Sequence, residues 1–256
     1  MNDRIAISSH ALTRFSVEES LAFVAPRFKG WEIVGEGGHH LPDIEPALRA
    51  LLPSYDLKVS VHTPLSDVNI GSLNPRMRDQ AMKEVISSIE VAGRLGFGPF
   101  TLHPGFYTPL GMVDREEARH VTIASIKAID KVAKENSVTV ALENMPDMPI
   151  SMVKTPDELL SMIEGTEMKV CLDIGHANTT RNIHEYLGLK DLIVNIHIHD
   201  NMGKYDQHLP IGDGNIDFAP IISKLSSYKG RYVIEARRLE DASTSKERLN
   251  DLLSHH

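Results

Sequence analysis

The chain has 256 residues, a formal net charge of −8 and a single cysteine, Cys171. This composition excludes an intramolecular disulfide framework and argues against a partner that binds through an overall basic surface, such as nucleic acid. The sequence shows neither the apolar run of a signal peptide nor a segment that could cross a membrane, so the cytoplasm is the expected compartment.

Eight short β-type runs alternate with helical patterns from the first residues to the last. In chain order the runs are IAISS, WEIVGEG, LKVSVH, FTLHPG, VTVALEN, MKVCLDIG, LIVNIHIHD and RYVIEAR. Helix starts are indicated by expected N-caps at Ser16, Asp114, Thr155 and Asp217, with Pro156 at a favoured first position.

Each unit therefore takes about 32 residues, close to what a strand–helix crossover requires. No G-x-G-x-x-G follows the first run, which removes the main sign of a dinucleotide-binding fold. The pattern predicts an α/β fold, a (β/α)₈ TIM barrel, formed as a single domain by residues 1–256.

Polar and apolar residues also alternate within these runs. In the seventh, Asn195, His197 and His199 fall on one face and apolar residues on the other. Strand side chains alternate between faces, so one set should point into the barrel. On six strands that inward set ends, at the carboxyl end, on an ionisable residue: His62, His103, Glu143, Asp173, His197 and Glu235.

Taken singly, these residues have ordinary structural alternatives. Glu143 could cap the next helix, while His62 and His103 each precede a proline and could simply be hydrogen-bonding groups at strand ends. Asp206 and His208, in KYDQHLPIGDG, could belong to a solvated loop. Taken together, unpaired buried charges would cost several kcal/mol or more, so a shared metal centre at the barrel mouth is the favoured interpretation.

Charge balance bears on the number of ions. Glu143, Asp173 and Glu235 supply three negative charges and Asp206 would supply a fourth. One divalent ion cannot balance that set, whereas two could. The oxygen-rich core suits manganese, magnesium or cobalt, and the additional histidines favour zinc, so the expected cofactor is one to three divalent ions.

These motifs resemble those of the xylose isomerase-like TIM-barrel superfamily, which includes sugar isomerases, sugar epimerases and the endonuclease IV group. The resemblance covers essentially the whole chain, through VSVHTP, HPG, LEN, LDIGHAN, HIHDN, HLPIGDGNIDF and IEAR. It implies that four residues are metal ligands: Glu143, Asp173, His197 and Glu235. His197 is preferred to His199 because Asp200 then falls at the family's usual offset. In the epimerases the two glutamates also serve as acid and base.

The same resemblance leaves open the possibility that the protein is a nuclease. His176 matches either a substrate-contacting histidine or a ligand of a third zinc ion, and the remaining ligands of a trinuclear nuclease site are matched by His62, His103, Asp206 and His208. The departures favour a sugar enzyme, because LENMPDMP replaces the nuclease continuation LENTAGQG and DIGHANTT replaces its Cys-His-Ala-Phe stretch. No DNA-probing loop with aromatic and arginine residues follows strand two.

The leading hypothesis is a metal-dependent isomerase or epimerase that moves a proton through a metal-stabilised enediolate of a small sugar or sugar phosphate, with a hydride shift as the other route. His176, His62 and His103 are candidate substrate contacts, and Glu36 and Lys204 are weaker ones. An endonuclease IV-like phosphodiesterase and a catalytically silent sugar-binding barrel are the alternatives. No membrane partner is expected, and homo-oligomer formation is left open.

One further expectation follows from the alternation. Glu32 and Lys58 both fall on the inward set of adjacent strands, below the level of the metals. Because either charge alone would be costly inside the barrel, they are predicted to pair with each other.

Overall fold

The structure, a computed structural model, describes residues 3–254, so the first two and last two residues of the predicted domain lie outside the described residues. Eight parallel strands close into a barrel in sequence order, which confirms the predicted (β/α)₈ fold. The strands are β1 (Ile5–Ser8), β2 (Gly30–Val34), β3 (Lys58–His62), β4 (Phe100–Leu102), β5 (Val140–Glu143), β6 (Lys169–Asp173), β7 (Ile193–Ile198) and β8 (Tyr232–Ile234).

Ten α-helices lie within the described range and surround this barrel. They are α1 (Val17–Val24), α2 (Leu41–Leu51), α3 (Pro75–Leu95), α4 (Pro109–Val113), α5 (Arg115–Glu135), α6 (Pro156–Ile163), α7 (Ile174–Thr180), α8 (Ile183–Leu187), α9 (Phe218–Lys224) and α10 (Leu239–Ser254). None of these helices is both long enough and apolar enough to cross a membrane.

The predicted helix starts are confirmed. Ser16 and Thr155 each complete a capping box, in which the residue three places on bonds back to the cap. Asp114 accepts a hydrogen bond from the third backbone N–H of α5. Asp217 is the N-cap of α9, although its side chain makes no capping hydrogen bond.

The two faces of the strands have different partners. Outward residues such as Trp31, Ile33 and Phe100 are fully buried in the core between barrel and helices. Inside the barrel, Ser8 and Ser60 stand in register with Glu32. The barrel interior is therefore polar below the mouth as well as at it.

The predicted pairing of Glu32 with Lys58 is wrong. Lys58 is the first residue of β3, stands in register with Gly30 one level below Glu32, and is exposed. Alternation correctly placed both residues on one set, but a residue at the first position of a strand can extend its long side chain out of the barrel end. Glu32 finds other partners.

The sequence DIGH after strand six suggests a tight glycine turn between Asp173 and His176, and the structure does not form it. Instead of a tight glycine turn, α7 begins directly after Asp173, which is its N-cap and accepts a hydrogen bond of 2.7 Å from the backbone N–H of His176. The carboxylate is thus held at the first turn of a helix, where negative charge is favoured.

Candidate active site

Six strands deliver the predicted residues to the carboxyl-terminal mouth of the barrel. Glu143, Asp173 and His62 are the last residues of their strands, His197 is one place before the end of β7, and His103 and Glu235 directly follow β4 and β8. All are buried except His103, whose side chain is 21% exposed. The mouth of the barrel is therefore where the chain concentrates its buried ionisable groups.

The four residues predicted as metal ligands lie within reach of one another. The Nδ1 atom of His197 is 2.9 Å from Glu143 Oε1, 3.2 Å from Glu235 Oε1 and 4.0 Å from Asp173 Oδ2. We call Glu143, Asp173, His197 and Glu235 the carboxylate centre. Their convergence is the geometry that a shared cation would require.

Two further predicted histidines contact the other oxygen of Glu143. The Nε2 atom of His103 lies 2.9 Å from Glu143 Oε2, and that of His62 lies 3.3 Å from it. Both carboxylate oxygens of Glu143 are therefore engaged, Oε1 toward His197 and Oε2 toward these two rings.

A second cluster forms beside the first and includes His199, which was weighed against His197 and not predicted as a ligand. His176, Asp206 and His208 were predicted as additional ligands, and His199 joins them. The ligand atoms of all four lie within 4.8 Å of one another. Asp206 is central to the cluster, with oxygens 3.0 Å from His208 Nε2, 3.4 Å from His199 Nε2 and 3.6 Å from His176 Nε2. We call these four residues the loop centre.

His10 is a second residue that the sequence analysis missed. It lies in a 3₁₀ turn, Ser9–Ala11, that directly follows β1. Its Nδ1 atom is 3.5 Å from Glu235 Oε1, and its ring lies edge-on to those of His62 and His208. Its position directly after the first strand could have identified it, because the carboxyl ends of all the strands lie at the barrel mouth.

The two weaker candidates are placed elsewhere. The Glu36 carboxylate accepts hydrogen bonds from the backbone N–H groups of Leu65 and Ser66 and from the Ser66 hydroxyl, so it organises the loop after β3. Lys204 is exposed, with its Nζ 5.0 Å from the centre of the Tyr205 ring. Neither belongs to either centre.

The loop that carries Asp206 and His208 is folded by Asp200, a fully buried carboxylate. Its Oδ2 accepts from the backbone N–H groups of Gly212 and Gly214, at 2.9 and 3.0 Å. Its Oδ1 accepts from the N–H groups of Asn201 and Ile216. A Cβ atom on Gly214 would lie 2.2 Å from Asp200 Oδ1, so this close approach requires glycine. This explains the spacing of HIHDN and GDGN in the sequence.

Replacing Asp200 by asparagine should open this loop, because an amide nitrogen would then face two backbone donors and leave them unsatisfied. We expect the free energy of unfolding to fall by about 2–4 kcal/mol and proteolysis within residues 201–216 to accelerate. Chemical denaturation and limited proteolysis measure these effects. Asp213→Asn is the matched control on the same loop, and because it weakens only a partly exposed ion pair with Arg248, it should cost no more than about 1 kcal/mol. Equal loop protection in both variants would contradict this role.

His199 depends on Gly175 in the first turn of α7. A Cβ atom on Gly175 would lie 2.0 Å from Cε1 of the His199 ring, so the helix and the ring can pack together only with glycine there. Replacing Gly175 by alanine should displace the ring and weaken divalent-metal binding at the loop centre at least about tenfold. Metal titration of the purified variant measures this. Gly111→Ala, in α4, should leave metal binding unchanged, and an unaltered affinity in Gly175→Ala would contradict the dependence.

The ionisable groups at the mouth strongly perturb one another. Burial raises the pKa of the Glu235 carboxyl. Burial acts the same way on Glu143, but the imidazoles of His197 and His103 outweigh it and hold its pKa well below the ordinary value. Burial lowers the pKa of His176, yet the carboxylates of Asp173 and Asp206 outweigh it and hold that pKa well above the ordinary value. Without a cation, the carboxylates are balanced by protonated histidines.

Several buried atoms at the mouth are left without a hydrogen-bond partner. They include Asp173 Oδ2, His199 Nε2, Asp206 Oδ1 and Glu235 Oε1. Buried polar atoms are normally satisfied, and a divalent cation would satisfy several of these at once. A tetrahedral zinc site with bonds of about 2.1 Å has ligand–ligand edges of roughly 3.4 Å, comparable with the spacings around Asp206. The donor set therefore fits divalent metal.

A small cavity of about 200 Å³ opens between the two centres. Its lining combines site residues with an apolar wall: His10, His62, Leu65, His103, Glu143, Met145, Pro146, Met148, His176, Asp206, His208 and Glu235. A larger groove of about 630 Å³ lies at the opposite end of the barrel, where the ionisable side chains of Asp130, Lys134 and Glu167 already pair with one another. The chemistry of the mouth cavity makes it the candidate site.

Comparisons with known proteins bear on this site. A model of the family described as "xylose isomerase-like TIM barrel" matches residues 27–252. An uncharacterised protein of Methanocaldococcus jannaschii is 33% identical over 261 residues, covering 98% of this chain and 89% of that protein. A probable endonuclease 4 of Acholeplasma laidlawii is 27% identical over 184 residues, covering 64% of this chain and 61% of that protein. The crystal structure of a D-tagatose 3-epimerase-like protein is 32% identical, has a TM-score of 0.92, and matches over 98% of this chain and 97% of that one.

Proposed function

Because the chain belongs to the xylose isomerase-like TIM barrel family, we propose that it is a divalent-metal-dependent ketose epimerase, which inverts the carbon next to a sugar carbonyl. The observation that carries the proposal is the position of Glu143 and Glu235. Both carboxylates are buried, both line the same small cavity, and both contact the His197 ring. Paired carboxylates around a small cavity are suited to taking a proton from one face of a carbon and returning it to the other.

The four residues of the carboxylate centre would hold the catalytic ion, and the loop centre would hold a second. Bound there, a divalent ion polarises adjacent carbonyl and hydroxyl oxygens and stabilises the negative charge that develops as a proton leaves. The unsatisfied oxygens of Asp173, Asp206 and Glu235 support this assignment, since each needs a cation or donor.

The chain's own groups supply the proton transfers. Glu143 ends β5 and Glu235 follows β8, so the two carboxylates reach the cavity from strands three places apart around the barrel. We assign Glu143 as the base that removes the proton and Glu235 as the acid that returns it to the opposite face. The same pair could interconvert an aldose and a ketose by moving the proton between neighbouring carbons. His176 and His208 line the same cavity and are placed to orient substrate hydroxyls.

The cavity lining indicates an unphosphorylated substrate. Among the described residues that line it there is no lysine or arginine, the side chains that normally pair with a phosphate. Leu65, Met145 and Met148 form an apolar wall that suits the C–H face of a sugar. A volume of about 200 Å³ admits only a small molecule.

The test is to incubate the metal-loaded protein with a panel of free ketopentoses and ketohexoses in D₂O and to follow them by NMR and chromatography. Formation of the epimer with deuterium at the inverted carbon is the expected result. A product without deuterium would replace proton transfer by a hydride shift. No new sugar across the panel with manganese, cobalt, magnesium and zinc would overturn the proposal.

A metal-dependent phosphodiesterase is the second candidate, favoured by the loop centre and by the similarity to a probable endonuclease 4. In that case His176, Asp206 and His208 would hold an additional zinc ion at the phosphate. Incision of a duplex with one abasic site, together with inactivity on the sugar panel, would establish this candidate in place of the epimerase. The small cavity and the absence of lysine and arginine from its described lining speak for the sugar.

A further inference from the structure

Glu32, the residue whose predicted partner was wrong, is buried at the centre of the barrel directly beneath the carboxylate centre. It is fully inaccessible to solvent and lies in the middle of β2. Its Oε1 makes a 2.7 Å ion-pair contact with Nε2 of His197, which is also fully buried, and has no regular hydrogen-bond partner. A buried carboxylate normally requires a charged or multiply hydrogen-bonded partner, so this contact needs an explanation beyond packing.

The other oxygen of Glu32 is held by two neutral groups. Oε2 accepts hydrogen bonds from the Ser60 hydroxyl at 2.9 Å and from the Asn195 amide at 2.8 Å. The second amide hydrogen of Asn195 goes to Thr101 Oγ1, at 3.0 Å. Asn195 also lies 3.2 Å from His197 Nε2, but an amide group has only two hydrogens and both have closer partners. The close neighbour of Nε2 is therefore the Glu32 carboxylate.

This arrangement bears on which ring nitrogen would keep its proton when a metal binds. A carboxylate offers only lone pairs and negative charge, so at 2.7 Å it favours a hydrogen on Nε2 over a bare nitrogen. The other nitrogen, Nδ1, points up to Glu143 Oε1 and Glu235 Oε1. By the same reasoning Nδ1, which lies 2.9 Å from Glu143 Oε1, carries a hydrogen in the metal-free protein, so the ring then bears both hydrogens. When a metal ion takes the place of the Nδ1 hydrogen, Glu32 retains the hydrogen on Nε2 and the Nδ1 lone pair faces the carboxylate centre.

We propose that Glu32 is a positioning residue that holds His197 in the Nε2–H tautomer, so that Nδ1 is the nitrogen offered to a divalent metal. This inference rests on the proposed metal centre and adds a residue outside it. Carboxylate partners of this kind orient the ring and raise the basicity of the coordinating nitrogen, and losing one typically weakens metal binding about 10–100-fold. Glu32 would thus act on the metal without touching it or the substrate.

The test compares metal affinity and the stability of the metal-free protein in three variants. Glu32→Leu removes the acceptor, Glu32→Gln keeps one amide oxygen able to accept the Nε2 hydrogen, and Ser60→Ala removes only a bond to the far oxygen of Glu32. We expect zinc affinity, measured by chelator competition, to fall at least about tenfold in Glu32→Leu, less in Glu32→Gln, and less than about threefold in Ser60→Ala.

Stability and metal affinity together separate positioning from a purely structural role. Glu32→Leu leaves the Ser60 hydroxyl and the Asn195 amide without their acceptor, so the metal-free variant should unfold at a lower temperature than the wild type. A positioning role adds to this a loss of zinc affinity, measured below the unfolding transition. A loss of stability with unchanged metal affinity would overturn the proposal. Wild-type protein that binds no divalent metal would instead refute the proposed function.

A measurement on the unaltered protein provides an independent test, should Glu32→Leu fail to fold. Nitrogen-15 NMR of the zinc-loaded wild type distinguishes a protonated ring nitrogen from a metal-bound one. We expect the His197 ring to carry its hydrogen on Nε2. A hydrogen on Nδ1 would overturn the assignment of Glu32.

Discussion

Replacing Glu143 by glutamine should lower kcat at least about 1,000-fold in the metal-saturated protein while leaving the barrel folded. An amide cannot take the proton from the substrate carbon. In the wild type, one oxygen of Glu143 contacts His197 and the other contacts His103. The amide of glutamine has only one oxygen and therefore cannot accept a hydrogen bond from both rings. Turnover of the epimerised sugar, measured at saturating substrate and saturating metal, gives kcat separately from any loss of metal affinity.

The comparison variants for this experiment come from the same chain. Glu235→Gln should show a similar loss, because the proton must be returned from the opposite face. Glu90→Gln, at an exposed position on α3, should behave as wild type. If Glu143→Gln kept turnover within tenfold of wild type under saturating metal, Glu143 would not be the base.

The eightfold succession of strand and helix units predicted the barrel, and the alternation of polar and apolar residues along the strands predicted the residues at its mouth. This alternation assigns a face to each side chain, and in a parallel barrel the inward face of each strand end meets the same opening. The six strand-end residues from His62 to Glu235 were identified in this way, and the structure brings them together.

The alternation gives the face on which a side chain lies but not its position along the barrel axis. This explains why the surroundings of His199 and Glu32 were not predicted. His197 and His199 share the inward set of β7, but Asp173 stands in register with His197, so His199 emerges higher and meets the loop centre. Glu32 fell on the expected face, and only the register of β2 against β3 shows that Ser60 stands opposite it. Strand registers follow from packing across the whole barrel, which local sequence patterns do not determine.

Contacts between residues far apart in the sequence were also not predicted by the alternation along the strands. Asp200 was noted for its spacing from His197, yet its role depends on four backbone N–H groups, three of which lie between 12 and 16 residues further along the chain. Such hydrogen bonds within a loop can be recognised only when the positions of both ends of the loop in the structure are known. The glycines in GDGN were the available sign that a backbone approaches closely there.

Removal of divalent metal should abolish turnover and lower the melting temperature at pH 8 by about 6–16 °C. An ion present at 100–1,000 times its dissociation constant stabilises a folded protein by about 3–4 kcal/mol, and 1 kcal/mol corresponds to roughly 2–4 °C for a chain of this size. Scanning calorimetry before and after chelation measures the shift, and added manganese, cobalt or zinc should restore both stability and turnover.

The difference in melting temperature between the metal-bound and the metal-free protein should become smaller as the pH falls toward 6. In the metal-free state, burial lowers the pKa values of His176 and His199, but nearby carboxylates outweigh it and raise both above the ordinary value of about 6.5. Groups with raised pKa values stabilise the folded state fully below about pH 6.5, and that stability is lost as the pH rises through the folded pKa. The pKa values of His10 and His103 are lowered by burial, so these two rings titrate below about pH 6.5.

Metal has the opposite dependence, because it must displace those protons from its ligands. As the pH rises from 6 to 8.5, the metal-free protein should therefore lose stability while the ion binds more tightly, and the gap in melting temperature should widen. Asp173→Asn, which removes a ligand from the carboxylate centre, should narrow the gap at every pH. A gap that is absent throughout, or larger at pH 6 than at pH 8.5, would mean that the clustered carboxylates and histidines at the barrel mouth balance one another without a cation.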